Sequence, residues 1–418
     1  MKIKYFIVAF FAFTISKTSY SQISGCTDPR ANNYNSEATI NDGSCDYNIT
    51  LFNPPLRYLL PSELDETSGL AFFNGKLWTI NDSGGLPALY AFDTISGEIV
   101  QRITVSNAQN IDWESLAMDA DHIYIGDFGN NAGTRDDLVI YKVSLSDIPL
   151  TGNDYVTAEK IWFSYSDYSG KEKISKNHNY DCEAFIAKDD SLYLFSKNRG
   201  DQRCKLYNLP KSSGEYTAQL VSSFDSKGLI TGADLNVESK EITLVGYVNQ
   251  TYVPFIWLLF DYDGNNYLNG NKRRIDMPNI LASQTEAVCY TLGRNEVLTS
   301  EGNALFSQSA YDFNSSIWTS SSPSGVGEEY EGVFDFSLSP NPINTGKLTI
   351  NITGLPIGLY QLEIYDSLGN KISDNNITMS KKSGRAKVKL KVSNYKDGVY
   401  FIRMYSPNHV VEKKFIKI

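Results

Sequence analysis

Carboxylates stand at fixed points of a long apolar pattern. Asp112 and Glu114 open one apolar run, and Asp127 closes the next, in NIDWESLAMDADHIYIGDFGNN. Asp181 and Glu183 open another run, Glu286 opens a third, and Glu301 closes the run after it. Oxygens gathered in this way suit a hard cation, because Ca2+ is held by carboxylates and carbonyls. Ca2+ is therefore the expected cofactor, with Glu114, Glu183, Glu286 and Asp112 as its ligands. The same acids could instead cap strands and accept hydrogen bonds that lock neighbouring elements. The chain has only three histidines, too few for a multi-histidine metal centre, which argues against zinc. It has no Gly-rich phosphate loop, HExxH or G-x-S-x-G motif.

The elements that must position these acids form an internal repeat. Units begin at ETSGLAFF, DWESLAMD, DCEAFIAK, LITGADLN and QTEAVCYT, marked by Ser68, Glu114, Glu183, Thr231 and Glu286. A second and a third strand follow in each, and a looser fourth. In the last unit these are EVLTSEG, ALFSQS and SSIWTSS. Tyr (27) and Phe (21) are abundant and Met (5) is rare, which also favours strands. Four-stranded units repeated at this spacing predict an all-β fold, a β-propeller of five blades. Six blades result if NITLFNPPLRYLL belongs to a degenerate blade; otherwise that strand completes the last sheet and closes the ring. The first strand of each blade lines the channel, and the antiparallel second strand ends at the same rim. Asp112, Glu114 and Asp127 thus converge on one channel mouth. Glu66, Ser68, Asp82, Asp181, Glu183, Lys197, Arg199, Gln284, Glu286 and Glu301 join them, and His178 leads in. The fourth unit departs, with Leu229 and Thr231 in place of acids.

SGLAFFNGKLWTINDSGGLPALYAFD followed by NIDWESLAMDADHIYIGDFGNNAGTRDDLVIYKV resembles a family of secreted bacterial propellers. That family carries a D-W-E-x-I/L-A start and a G-D-x-G-D/N-N turn, and is akin to the esterase-like phytase and SdiA-regulated propeller domains. The resemblance implies a site at Asp112, Glu114, Asp127, Asn130, Asn131 and Arg135, and adds a location rather than a reaction. The expected role is binding of a ligand or cation at an acidic channel mouth, by Asp112, Glu114, Asp127, Asn130, Asn131, Asp181, Glu183, Glu286 and Glu301. The alternative is a metal-dependent hydrolase of phosphoesters or other esters. Lys197, Arg199 or Arg135 would then neutralise an anionic substrate and His178 would donate the proton. A structural or adhesive surface role is the third reading.

Both ends of the chain address it outward. Residues 1–21 read as a cleaved signal peptide: Lys2 and Lys4 precede an apolar run of eleven residues, too short to span a bilayer. A rival is a lipoprotein signal, with Ile23 to Cys26 as its lipobox. Residues 22–47, GCTDPRANNYNSEATINDGSCDY at their centre, resemble an Asp/Asn-rich module of secreted Bacteroidetes proteins. So small a segment builds no core, and a Cys26–Cys45 disulfide is its natural staple. Asp28 and Asp42, with Asn33, Asn35 and Asn41, could hold Ca2+ or form Asx turns. Cys182, Cys204 and Cys289 read as buried thiols.

The propeller is assigned to residues 48–320 and a linker to 321–335. Residues 336–418 resemble the type A C-terminal sorting domain of the type IX secretion system. The matching features are Pro340-Asn341-Pro342, Gly358-x-Tyr360, Ile364-Tyr365-Asp366, Gly398-x-Tyr400 and the basic ending KKFIKI. Strands at Tyr360–Tyr365 and Tyr400–Met404 predict a small Ig-like sandwich. The resemblance implies the type IX machinery as partner, and a secreted or cell-surface location. A net charge of −10 argues against nucleic acid and anionic membranes as partners.

Overall fold

The computed structural model describes residues 22–418 except 170–176, 281–283, 320–334, 345, 356–357, 367–370, 380–383 and 407–408. The expected signal peptide and nearly all of the linker lie outside the described residues. No described helix is long and apolar enough to cross a membrane.

Five antiparallel blades form a closed ring. Their inner strands are Thr67–Phe73, Trp113–Met118, Cys182–Lys188, Leu229–Asn236 and Thr285–Tyr290. Each packs beside the next, and the fifth packs beside the first. The inner and second strands are buried on both faces, so they read as near-continuous apolar runs. The burial is between blades: one apolar cluster fills each of the five seams.

The ring closes as the N-terminal strand suggested, and six blades are not formed. Leu56–Leu59 pairs antiparallel with Ser309–Asn314 and supplies the outer strand of blade 5. Two assignments in that blade are corrected. ALFSQS is mostly a loop, its final Ser309 beginning the third strand, Ser309–Asn314. SSIWTSS holds a 3-10 turn, Ser315–Ile317, in place of a strand. The outer position was already taken by a segment from the other end of the chain, which local pattern does not reveal. The same N-terminal segment adds Thr50–Leu51 parallel to the outer strand of blade 4, Asn271–Asp276. Elsewhere, Glu159–Tyr165 of blade 2 pairs parallel with Gly214–Phe224 of blade 3, so each covers an edge of the other.

The N-terminal module carries the Cys26–Cys45 disulfide. That bond consumes the sulfur a lipoprotein anchor would require. The module sits on blade 4: Thr27 Oγ1 donates to Asp261 Oδ2 at 2.9 Å, and Asn41 Nδ2 donates to the Asp261 carbonyl at 2.9 Å. Its polar side chains make Asx turns. Asp28 Oδ1 accepts from Arg30 N, Asn35 Oδ1 from Glu37 N, Asn41 Oδ1 from Gly43 N and Asp42 Oδ1 from Ser44 N. Cys182, Cys204 and Cys289 are free and buried, as expected.

The C-terminal domain is a sandwich of two antiparallel sheets. One holds Asp335–Ser339, Lys347–Leu355 and Gly384–Lys391; the other holds Gly358–Asp366, Lys371–Met379, Gly398–Ser406 and His409–Lys417. Phe336, Leu348 and Ile350 from the first sheet meet Leu362, Ile402 and Phe415 from the second in one core.

Candidate functional site

A β-bulge places the key side chains. In every blade the pairing of inner and second strands skips one residue near the channel mouth. The skipped residue is Gly69, Glu114, Glu183, Thr231 and Glu286 in turn. A bulge leaves one residue outside the ladder and re-aims its side chain. Three blades therefore turn a buried glutamate out of their pairing pattern at the same level. In blade 4 the bulged Thr231 donates instead to the Thr285 carbonyl at 2.5 Å, locking two inner strands.

The sequence-predicted acids divide into two groups. Asp127, Asp181 and Glu183 face bases. Asp127 Oδ1 lies 2.9 Å from Arg135 Nη1 and also accepts from Asp112 N at 3.1 Å. Asp181 Oδ1 accepts from Asn130 N at 2.8 Å, and its Oδ2 lies 3.5 Å from Arg199 Nε. Glu183 Oε2 accepts from Lys197 Nζ. Of these contacts the Asn130–Asp181 bond crosses a seam between blades, while the others lie within one blade. Arg135, expected to meet an anionic substrate, is spent on Asp127 and Asp137. His178 Nδ1 accepts from Tyr180 N at 3.1 Å, and its ring packs on Gly133. Asn131 is exposed and accepts from Arg199.

The second group has no such neutralisation. Asp82, Asp112 and Glu114 present carboxylate oxygens that all lie within 4.8 Å of one another. None of these three, nor Glu286, makes an ion pair with a described residue. Asp82 stood at the predicted rim but outside the expected ligand set. Asn110 brings it in, donating from Nδ2 to the carbonyls of Asn81 and Asp82, both at 2.9 Å, while its Oδ1 accepts from Trp113 N. Glu114 and Glu286 are each 3% exposed, and Glu114 Oε1 and Glu286 Oε2 have no hydrogen-bond partner among the described residues. Glu183, the fourth expected cation ligand, is instead paired to Lys197. Exposure grades from Glu66 at the rim, through half-buried Asp82, Asp112 and Glu301, to a floor of Glu114, Glu183, Glu286 and Lys197.

A loop covers one side of this funnel. Asn130 Oδ1 accepts from Thr134 N and Arg135 N, both at 2.9 Å, and folds the Asp127–Arg135 segment back. Gly129 N donates to the Asp112 carbonyl at 3.2 Å. A Cβ at Gly129 would overlap Glu114 Oε1 and Asp112 Oδ2 and push those side-chain ends aside.

Burial and mutual repulsion make the acids reluctant to ionise. Burial, then Asp82 and Asp181, pushes Asp112 up to about 7. Burial, then Glu183, holds Glu114 well above the ordinary range. Burial likewise raises Glu286, against the pull of Lys197. Burial lifts Glu301 to about 7 against a hydrogen bond from Gln284. For Lys197, burial acts downward, but Glu183 and Glu286 outweigh it and hold the ammonium well above its usual value. Burial pushes Glu183 up to about 8 while Lys197 pulls it down. The lysine is held charged beside Glu183, while Glu114, Glu286 and the Asp82–Asp112 pair have no ion-pair partner among the described residues and hold their protons tightly.

Residues 337–418 match the family described as the secretion system C-terminal sorting domain. The chain is thus sorted by the type IX system for secretion or display at the cell surface. No curated protein matches the chain. Among solved structures it is similar to the exo-β-1,3-galactanase of Phanerochaete chrysosporium. A variant with β-1,3-galactotriose gives a TM-score of 0.41 at 10% identity, over 91% of this chain and 98% of that one. A second variant gives 0.40 at 10%, over 87% and 100%. The enzyme with galactose gives 0.39 at 11%, over 91% and 98%. These likenesses concern fold alone.

Proposed function

We propose that this exported propeller is a binding protein whose channel mouth takes a divalent cation, Ca2+, at Asp82, Asp112 and Glu114. One observation carries the reading: three carboxylates converge with no ion pair to a described residue, and the buried Glu114 Oε1 has no donor among the described residues. Carboxylates this close must share protons or share a cation. An all-oxygen ligand set in an exported protein favours Ca2+ over zinc. Glu286 and Glu301 add further carboxylate oxygens to the same mouth. The cation reading is tested by isothermal calorimetry on the full chain: Ca2+ should bind, and Glu114→Gln should remove the heat. Equal binding by that variant would reject the site.

A further inference from the structure

The rim above the acids carries an aromatic plate. Tyr247 ends the second strand of blade 4, Glu241–Tyr247, and is buried. Its ring lies 5.4 Å from Lys197 Nζ on the funnel floor. Tyr252 stacks on it, with centroids 5.3 Å apart and planes 22° from parallel. Tyr252 is 50% exposed. It is held there by a left-handed backbone (φ 57°) and by its N–H donating to the Val248 carbonyl at 2.9 Å. A non-glycine residue in that conformation is unfavourable, so the surrounding fold must impose it.

The polar groups beside the plate are of both kinds. Tyr247 OH donates to Gln284 Oε1 at 2.6 Å, and Gln284 Nε2 donates to Glu301 Oε2 at 2.8 Å. Arg199 donates to Asn131. Below them, Glu114 Oε1 and Glu286 Oε2 are buried acceptors without donors among the described residues. An anion would call for donors alone, and an organic cation for acceptors alone. A mixed set beside an aromatic face fits a ring with one apolar side and an edge of hydroxyls, each hydroxyl both donor and acceptor.

We infer that the channel mouth binds the pyranose ring of a carbohydrate, with Tyr252 as its stacking platform. The C–H face of the sugar lies on Tyr252. Its hydroxyls accept from Arg199 and donate to the half-buried Glu301. A vicinal pair of hydroxyl oxygens completes the shell of the cation at Asp82, Asp112 and Glu114; this last contact alone rests on the cation reading.

The full chain should be titrated with glucose, mannose and galactose, each with Ca2+ and with chelator, and with inorganic phosphate and tetramethylammonium as charged probes. At least one sugar should bind saturably. Tyr252→Ala should weaken it roughly tenfold or more and Tyr252→Phe should restore it, while the Ca2+ response of both variants stays that of the parent. Ca2+ binding with no sugar binding overturns the inference and leaves the cation reading intact. So does saturation by phosphate or tetramethylammonium alone, or sugar binding that Tyr252→Ala leaves unchanged. Tyr252-dependent sugar binding without any Ca2+ binding upholds the inference and rejects the cation reading.

Discussion

The backbone N–H of Asn130 donates to Asp181 Oδ1 at 2.8 Å, across the seam between blades 2 and 3. The same carboxylate lies 3.5 Å from Arg199. Asp181 is fully buried, so its removal strands the Asn130 N–H and leaves Arg199 only Glu183 and Asn131 to face. Asp181→Ala should destabilise the propeller by about 2–4 kcal/mol, read as a lower urea midpoint. An unchanged midpoint would show that the loop over the mouth is held by other contacts.

Gly129 offers a way to close the cation site without touching an acid. The atoms a methyl group would meet are the free ends of the Glu114 and Asp112 side chains, which can swing aside. Gly129→Ala should therefore keep the parent melting temperature in chelator and weaken Ca2+ at least about tenfold, a shift of about 1.4 kcal/mol. Parental Ca2+ affinity in this variant would move the site away from the Asp112–Glu114 pair.

The acids also fix a pH dependence. Asp112 rises from an ordinary 3.8 to about 7 in the folded protein, and Glu301 from 4.5 to about 7. Each binds its proton more tightly when folded, so its contribution is full below the unfolded value and is lost as pH rises towards 7. In chelator, the melting temperature should fall between about pH 5 and pH 8. Saturating Ca2+ should reverse the slope, because the ion takes the ionised form. A melting temperature that rises over this range in chelator would contradict the assignment.

The module at residues 22–47 depends on one staple. The Cys26–Cys45 bond spans 19 positions, and closing a loop of that size contributes about 3 kcal/mol. Replacing both cysteines by serine should expose the module to limited proteolysis while the propeller fragment survives. Protection equal to the parent would mean that the docking contacts at Asp261 suffice.

Much of the ring was legible because both faces of its strands are buried, and the resulting apolar runs recur with a polar start. The third strand of blade 5 was displaced by about five residues, because Gly302 to Gln308 form a loop whose apolar Leu305 and Phe306 imitate a strand. The bulges were invisible, since skipping a residue leaves no mark in composition. They explain why Glu114, Glu183 and Glu286 sit where simple alternation would not place them. Which acids are neutralised depended on the choice that each base, in the following strand or loop, makes among neighbouring acids. Arg135, Lys197 and Arg199 chose Asp127, Glu183 and Asp181, and left Asp82, Asp112, Glu114 and Glu286 to one another. Asp82 stood outside the expected ligand set because Asn110, which tethers it beside Asp112 and Glu114, looks like an ordinary loop residue.

The most direct measurement is the melting temperature of the full chain in Ca2+ and in chelator, for the parent, Glu114→Gln and Glu183→Gln. An ion at 100 times its Kd contributes about 2.7 kcal/mol, enough to raise the parent by several degrees. Glu114→Gln should lose that increment. Glu183→Gln should start lower, because Lys197 is left buried without its partner, yet keep the increment. A parent whose melting temperature is the same with Ca2+ and with chelator, or a Glu114→Gln variant that responds like the parent, would contradict a cation at the channel mouth.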